Sequence, residues 1–396
     1  MTAKRAGTAT PRKDPRTGEW WFVVDGGRDP ETGRRRQAKR RGFATKRDAQ
    51  EELDKIRGKR RTASYVPPAR TTLAEYAAKW LAGLPAQGRR PSTVDGYRRC
   101  LDYVLPDLGH KRLDALTVHD LDELYGRLLA SGKRQSEGGL SPRSVRYVHT
   151  VLHKALSDAV RKGTLARNVA EVASPPDTAS AKAPEMAWWK PEELRAFLAL
   201  TADEPLGPLF RVAAMTGMRR GEVCGLRWSD VDLDRARVEV RHQLLVVRGA
   251  PDGGLLFSEC TKTATGRRSV DLDPETVATL RAQHRRQAAQ RLAIGAGWAN
   301  ERGLVFTEPD GRPLDPESVA KVFARRVARS GLPRVRFHDL RHTHVAHLIA
   351  AGEQPLLIAK RVGHASAAFT QDRYGHLFDD AGSQAASAVA AMVDGA

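Results

Sequence analysis

His338-Asp339-Leu340-Arg341-His342-Thr343 places two histidines and an arginine within six residues. Three further islands accompany it. They are Thr216-Gly217-Met218-Arg219-Arg220-Gly221-Glu222, then Thr261-Lys262-Thr263, and then Gly363-His364 with Tyr374-Gly375-His376. Each has a plain reading when taken alone. The first is a loop before a helix, the second a hairpin tip, and the glycine–histidine pairs are turns. His338, His342, His344 and His347 suggest a metal cluster, but the run lacks the carboxylate of an HExxH pattern and no cysteine lies near it in sequence, so no metal is expected.

Charge points to the partner. The 396 residues hold 66 Lys and Arg against 47 Asp and Glu, a net charge of +19. A soluble chain so basic takes a polyanion as its default partner, nucleic acid first. Residues 1–70 hold 20 basic and 9 acidic side chains, so more than half of the excess lies in the first sixth of the chain. At 41% hydrophobic residues there is enough apolar material for real cores. No apolar run reaches the ~20 residues of a membrane span, and the basic N-terminus has no apolar stretch of a secretory signal. Cys100, Cys224 and Cys260 form no CxxC pair, which suits a reducing cytoplasm.

The pattern predicts a multidomain, mainly α chain with small β elements. Trp20 to Val24 reads as a strand, Asp29 to Gly33 as a turn, and Arg34 to Arg41 as a returning strand. Thr45 to Asp48 opens a helix toward Arg60, giving a small ββ(β)α unit within residues 1–65. Its arginines and lysines, among them Arg34, Arg36, Lys39 and Arg41, are candidate DNA contacts. Residues 70–175 carry four helical segments. Their starts are marked by Thr72 with Glu75, by Ser92, by Thr117 with Asp120, and by Ser141-Pro142. A Pro- and Ala-rich linker, Ala173 to Ala183, precedes a mostly helical domain over 185–396. There, short strands are expected within Arg237–Val247 and Leu255–Val270. The Ala-rich stretch Gln384–Met392 has high helix propensity.

Taken together and in order, the four islands resemble the tyrosine recombinase (phage integrase) family. The Thr-Gly-x-Arg-x-x-Glu, Lys-Thr, His-x-x-Arg-His-Thr, Gly-His and terminal Tyr elements stand in that family's order and spacing. The resemblance covers 185–380 by motif and 70–175 by layout, as a helical core-binding (SAM-like) domain. Residues 10–62 look like the arm-type DNA-binding domain of integrases from phages and integrative elements.

The resemblance implies residue roles. Arg219 and Arg341 grip the scissile phosphate, and Lys262 on a β-hairpin is the general acid for the leaving 5′ oxygen. His338 handles protons and positions, while His364 donates a supporting hydrogen bond. Glu222 orients Arg219, and Tyr374 is the nucleophile. His342 fills a position usually held by histidine, whereas His344 and His347 read as helix-face residues. It further implies a 3′-phosphotyrosine intermediate, a Holliday junction, a tetramer on double-stranded attachment sites, and a tail, 375–396, docking on a neighbour. An excisionase, a host DNA-bending factor and a place at the bacterial nucleoid follow from the same likeness, and no cofactor is required.

The chemistry agrees independently. Guanidinium forks pair bidentately with phosphate and stay charged. A phenol needs nearby cations or a base to attack. Tyr374 is the only one of seven tyrosines after position 147, so the last domain holds a single candidate. A type IB topoisomerase shares this chemistry, but the basic N-terminal unit argues for site-specific recombination. A DNA-binding regulator with a decayed catalytic set is the other alternative, and none of the islands is decayed.

Overall fold

The computed structural model describes residues 10–28, 35–61, 71–134, 136–181, 186–259, 267–375 and 392–393. The chain divides into two compact units, Met1–Ala183 and Pro184–Ala396.

The first unit opens with β1 (Arg12–Lys13), β2 (Trp20–Arg28) and β3 (Arg35–Phe43), an antiparallel sheet in the order β1-β2-β3, followed by helix α1 (Lys46–Arg61). Alternation along β2 turns Phe22 and Val24 onto Ala49, Leu53 and Ile56 of α1, a core of five buried side chains among the described residues. Thr45 caps the helix by accepting from the Asp48 amide at 3.1 Å. Register slips between Trp20↔Phe43 and Phe22↔Arg40, and Gly42 with φ +94° takes up the extra residue. On the exposed side, the Lys39 ammonium sits 4.0 Å from the Trp21 ring centroid.

Four helices follow: α2 (Leu73–Gly83), α3 (Pro91–Leu108), α4 (Val118–Ser131) and α5 (Pro142–Arg161). Capping boxes at Thr72/Glu75 and Thr117/Asp120 and the Ser141 cap start three of them. On α5, Val145, Val148, Leu152 and Leu156 recur at helical spacing and are buried. The polar tips of buried aromatics find partners across the bundle. Trp80 Nε1 donates to Asp158 at 2.9 Å, and the Tyr76 hydroxyl donates to the Ala155 carbonyl at 2.9 Å. A groove of about 780 Å³ between α3 and α5 is lined by Arg99, Tyr103, Arg143, Arg146 and Tyr147.

The second unit runs α6 (Pro191–Leu200), α7 (Gly207–Thr216), α8 (Arg220–Cys224), β4 (Val231–Asp232), β5 (Arg237–Val240), β6 (His242–Val246), a single turn α9 (Pro251–Gly254), β7 (Leu255–Glu259) and β8 (Arg268–Asp271). It continues with α10 (Pro274–Ile294), α11 (Pro316–Ser330), α12 (Asp339–Ala350), α13 (Pro355–Val362) and α14 (Ala367–Tyr374). The strands form an antiparallel β4-β5-β8 sheet and a β6-β7 pair. An aromatic cluster of Trp189, Phe197, Phe210, Phe323 and Phe337 fills the core. A separate small cluster, Val345, Ile349, Ile358, Val362 and Tyr374, ties α12, α13 and α14 together. Among the described residues, no helix is long and apolar enough to cross a membrane. The expected helix over Gln384–Met392 lies outside the described residues except for Met392.

Candidate active site

Two glycines that end helices build the cradle. Gly217 closes α7 with φ +64°, a conformation L side chains rarely adopt. A Cβ there would also stand 2.8 Å from the His344 ring. Its carbonyl accepts from Arg341 Nη1 at 2.9 Å. Gly363 closes α13 with φ +74°, and its carbonyl accepts from Arg219 Nη2 at 2.9 Å. Carbonyls at helix C-termini carry partial negative charge, which suits a guanidinium.

Glu222 organises one side of this cradle. It is buried on α8 and accepts from the Arg219 backbone and from Arg219 Nη1, each at 2.8 Å. Arg268 on β8 approaches the same carboxylate with both terminal nitrogens, at 3.2 and 2.7 Å, and its Nε donates to the Arg361 carbonyl at 2.8 Å. Burial would raise the Glu222 pKa, but the bonds and charge of Arg268, with Arg219 behind it, bring it down to about 2. Glu222 is therefore a fixed anion between two arginines.

Arg341 on α12 is buried, and its Nη2 has no partner among the described residues. Burial, then the like charges of Arg219 and Arg268, lower its pKa to about 9. Three guanidiniums thus face one carboxylate, and the surplus positive charge lies where an anion would complete it.

Tyr374, the last residue of α14, is buried beside this surplus. Its hydroxyl is 2.5 Å from Nδ1 of His342. The His364 ring stacks on Tyr374 with centroids 6.2 Å apart, and its Nδ1 meets the Thr370 hydroxyl at 2.9 Å. His338, at the start of α12, packs edge-on against His342 at 5.1 Å. Burial raises the phenol's pKa to about 12, while Arg341 and Arg373 pull the other way. Burial and the arginines lower His364 to about 3, so it is neutral at pH 7.

Similarity to known proteins fits this geometry. The Phage integrase family matches residues 189–380, and an Arm DNA-binding domain matches residues 10–60. An integrase of Streptomyces ambofaciens is 30% identical over 374 residues, covering 91% of this chain and 90% of that one. The chain belongs to the phage integrase family. A "Tyrosine recombinase XerC-like" protein of Caldanaerobacter subterraneus is 24% identical, covering 84% of this chain and 86% of that protein. The fold matches that of the Tn1549 transposon integrase, solved in complex with circular intermediate DNA. The TM-score is 0.61 at 21% identity, covering 77% of this chain and 95% of that one. The protein is a tyrosine-type site-specific recombinase of the integrase kind, with an arm-type module of three strands and a helix at its N-terminus.

Of the recombinase residues singled out in the sequence, Arg219, Glu222, His338, Arg341, His364 and Tyr374 gather around this cradle. Lys262 and Arg34 lie outside the described residues. β7 and β8 flank the segment 260–266 that carries Lys262. Arg36, Lys39 and Arg41 stand on β3 in the other unit, Lys39 and Arg41 exposed. His344 is buried and accepts from Arg361 Nε at 3.1 Å, and His347 donates to the Trp189 carbonyl at 2.9 Å. Among the described residues no group of three His, Cys, Asp or Glu is placed to hold a metal ion. Sequence reading missed Arg268. The available signal was strand alternation, because Arg268 and Val270 share the inward face of β8.

Arg341 Nη2, without a partner among the described residues, gives a direct expectation. A phosphate-like oxyanion should raise the melting temperature of the integrase. At ten times its Kd the gain is about 1.4 kcal/mol, a few degrees for a unit of this size. Thermal melts of wild type and Arg341→Ala in phosphate and in chloride at equal ionic strength would check this. An equal shift in both proteins would sink the idea of an anion seat at Arg341.

Proposed function

We propose that this recombinase cuts and rejoins DNA through a 3′-phosphotyrosyl link at Tyr374. What supports the reading most is one arrangement. Arg219 and Arg341 are each pinned by a helix-ending glycine carbonyl beside the single buried tyrosine of the unit. The scissile phosphate would sit against Arg341 Nη2 and Arg219, which stabilise the charge that grows in the transition state. Tyr374 Oη attacks phosphorus and the 5′ oxygen leaves, taking a proton that Lys262 supplies. His364 and His338 hold the nucleophile and phosphate in line. The covalent link keeps the phosphodiester energy, so the 5′ hydroxyl of a second strand can attack the same phosphorus, release the Tyr374 phenol and join the strands in a Holliday junction.

The remaining parts follow from chemistry. Three domains, 1–65, 70–175 and 185–396, would divide the work as arm binder, core binder and catalytic domain. The α3/α5 groove, with Arg99, Arg143 and Arg146, suits the backbone of the core site, and the Lys39 and Arg41 face of β3 suits distal arm DNA. The protein would work as a tetramer on paired attachment sites in the cytoplasm at the nucleoid, with residues 375–396 docking on a neighbour. An excisionase and a DNA-bending host factor would set direction. The element would be a phage or another integrative element.

A nicked suicide duplex carrying the element's attachment core tests the reading. The full-length protein should accumulate a covalent DNA adduct, and peptide mass spectrometry should place it on Tyr374. An adduct on another residue, or none with the cognate core, would overturn it.

A further inference from the structure

The hydroxyl of Tyr374 meets an acceptor the motif reading left without a task. His342 follows Arg341 on α12 and presents Nδ1 to Tyr374 Oη at 2.5 Å, with ring centroids 5.8 Å apart. Both side chains are buried. His338 packs edge-on against one side of His342, and His364 stacks on the tyrosine ring. The pair is thus held on more than one side.

We propose that His342 is a catalytic residue of the cleavage step, taking the phenolic proton of Tyr374 as Oη bonds to phosphorus. This rests on Tyr374 being the nucleophile. The Oη–H bond breaks and its electron pair forms the Oη–P bond. The P–O5′ bond breaks, and the 5′ oxygen keeps that pair and takes a proton from the general acid. One proton therefore arrives on His342 Nδ1 as another leaves Lys262, and religation reverses both transfers. The accepting imidazole carries its own hydrogen on Nε2.

The surroundings explain why the base acts only on bound substrate. The groups facing His342 are His338 just before α12, Asp339 and Arg341 on α12, Arg373 and Tyr374 from α14, and His364 after α13. Burial and then His338 bring the imidazole down to about 4, so it is neutral in the free protein, and the phenol stays protonated. An incoming phosphate brings negative charge into this cationic pocket, and the pentacoordinate transition state brings more. Nearby anionic charge favours the imidazolium, so the proton moves when the scissile phosphate is seated.

The experiment uses the full-length protein, a suicide duplex with the attachment core, and a second duplex whose leaving 5′ oxygen is replaced by sulfur. Single-turnover cleavage is measured from roughly pH 5 to 9 at saturating DNA, with DNA affinity and melting temperature as controls. Wild-type cleavage should fall on the acid side as one group protonates. His342→Phe should cleave about 10²–10³-fold more slowly, lose that acid limb and keep its DNA affinity. His342→Asn, which keeps an acceptor that cannot hold a proton, should stay slow. The sulfur leaving group, which needs no proton, should restore a Lys262→Ala protein but neither His342 variant. Cleavage by His342→Phe within about threefold of wild type with the acid limb intact, or full rescue by sulfur, would overturn the proposal. If Phe does not fold, His342→Asn carries the same comparison. An adduct that persists in Tyr374→Phe would instead refute the nucleophile assignment itself.

Discussion

Replacing Tyr374 with phenylalanine is expected to abolish the covalent DNA adduct while leaving both the fold and DNA binding in place. The loss should be complete, because Tyr374 is the only tyrosine after position 147. The fold should survive because the ring carries the packing. Tyr374 contributes its aromatic body to the cluster with Val345, Ile349, Ile358 and Val362, and phenylalanine keeps that body. What disappears is one hydroxyl and its bond to His342, which costs about 1 kcal/mol, with the imidazole nitrogen left unpaired. DNA affinity depends on phosphate contacts made elsewhere, on arginines that the substitution does not touch. Gel-shift titration beside a suicide-substrate assay separates the two quantities. Adduct formation at even a hundredth of the wild-type rate would mean that another residue attacks.

The reach of sequence reading differed between elements for identifiable reasons. Local signals were legible. The Thr72/Glu75 and Thr117/Asp120 boxes and the Ser141-Pro142 cap depend on residues within one turn, and each starts a helix where expected. The strand read as Trp20–Val24 continues to Arg28 through Asp25-Gly26-Gly27, residues with little strand propensity. Pairing of Asp25 with Gln37 and of Arg28 with Arg35 holds it there, and such pairing is invisible in a local window. The site divides the same way. Arg219, Glu222, Arg341, His364 and Tyr374 were legible because fixed spacing marks them. Arg268 was not, because an arginine after Arg267 reads as surface charge until Glu222, 46 positions earlier, is seen to receive it. His342 was noted as a position, but its contact with Tyr374 depends on how α14 packs on α12.

Arg268→Ala should be the most destabilising single change near the cradle. Both members of the Arg268–Glu222 pair are buried, with side-chain exposures of 4% and 3%. Removing one partner leaves a carboxylate that Arg219 alone must satisfy, a change of about 3–5 kcal/mol, or roughly 6–20 °C in melting temperature. The acid limb gives an independent check. The Glu222 pKa is lowered from 4.5 to about 2 on folding, so its contribution is present above about pH 4.5 and lost as pH falls toward 2. That contribution is on the order of 3 kcal/mol, the same size as the loss expected from breaking the pair. Arg268→Ala should shrink the acid limb, since burial then raises the carboxyl with less opposition. Glu222→Gln should remove this share of the limb altogether and leave that of Asp158, Asp273 and Asp339, whose carboxyls are also lowered. Arg268→Lys should recover only part of the stability, because one ammonium cannot span both carboxylate oxygens and the Arg361 carbonyl. Cleavage should fall along with stability, since the Glu222 oxygen that bonds Arg268 Nη1 also holds Arg219 Nη1. A double-mutant cycle between Arg268→Ala and Glu222→Gln measures the coupling directly. Additive losses, or a melting shift under about 2 °C for Arg268→Ala, would show that Arg219 is held without this ladder.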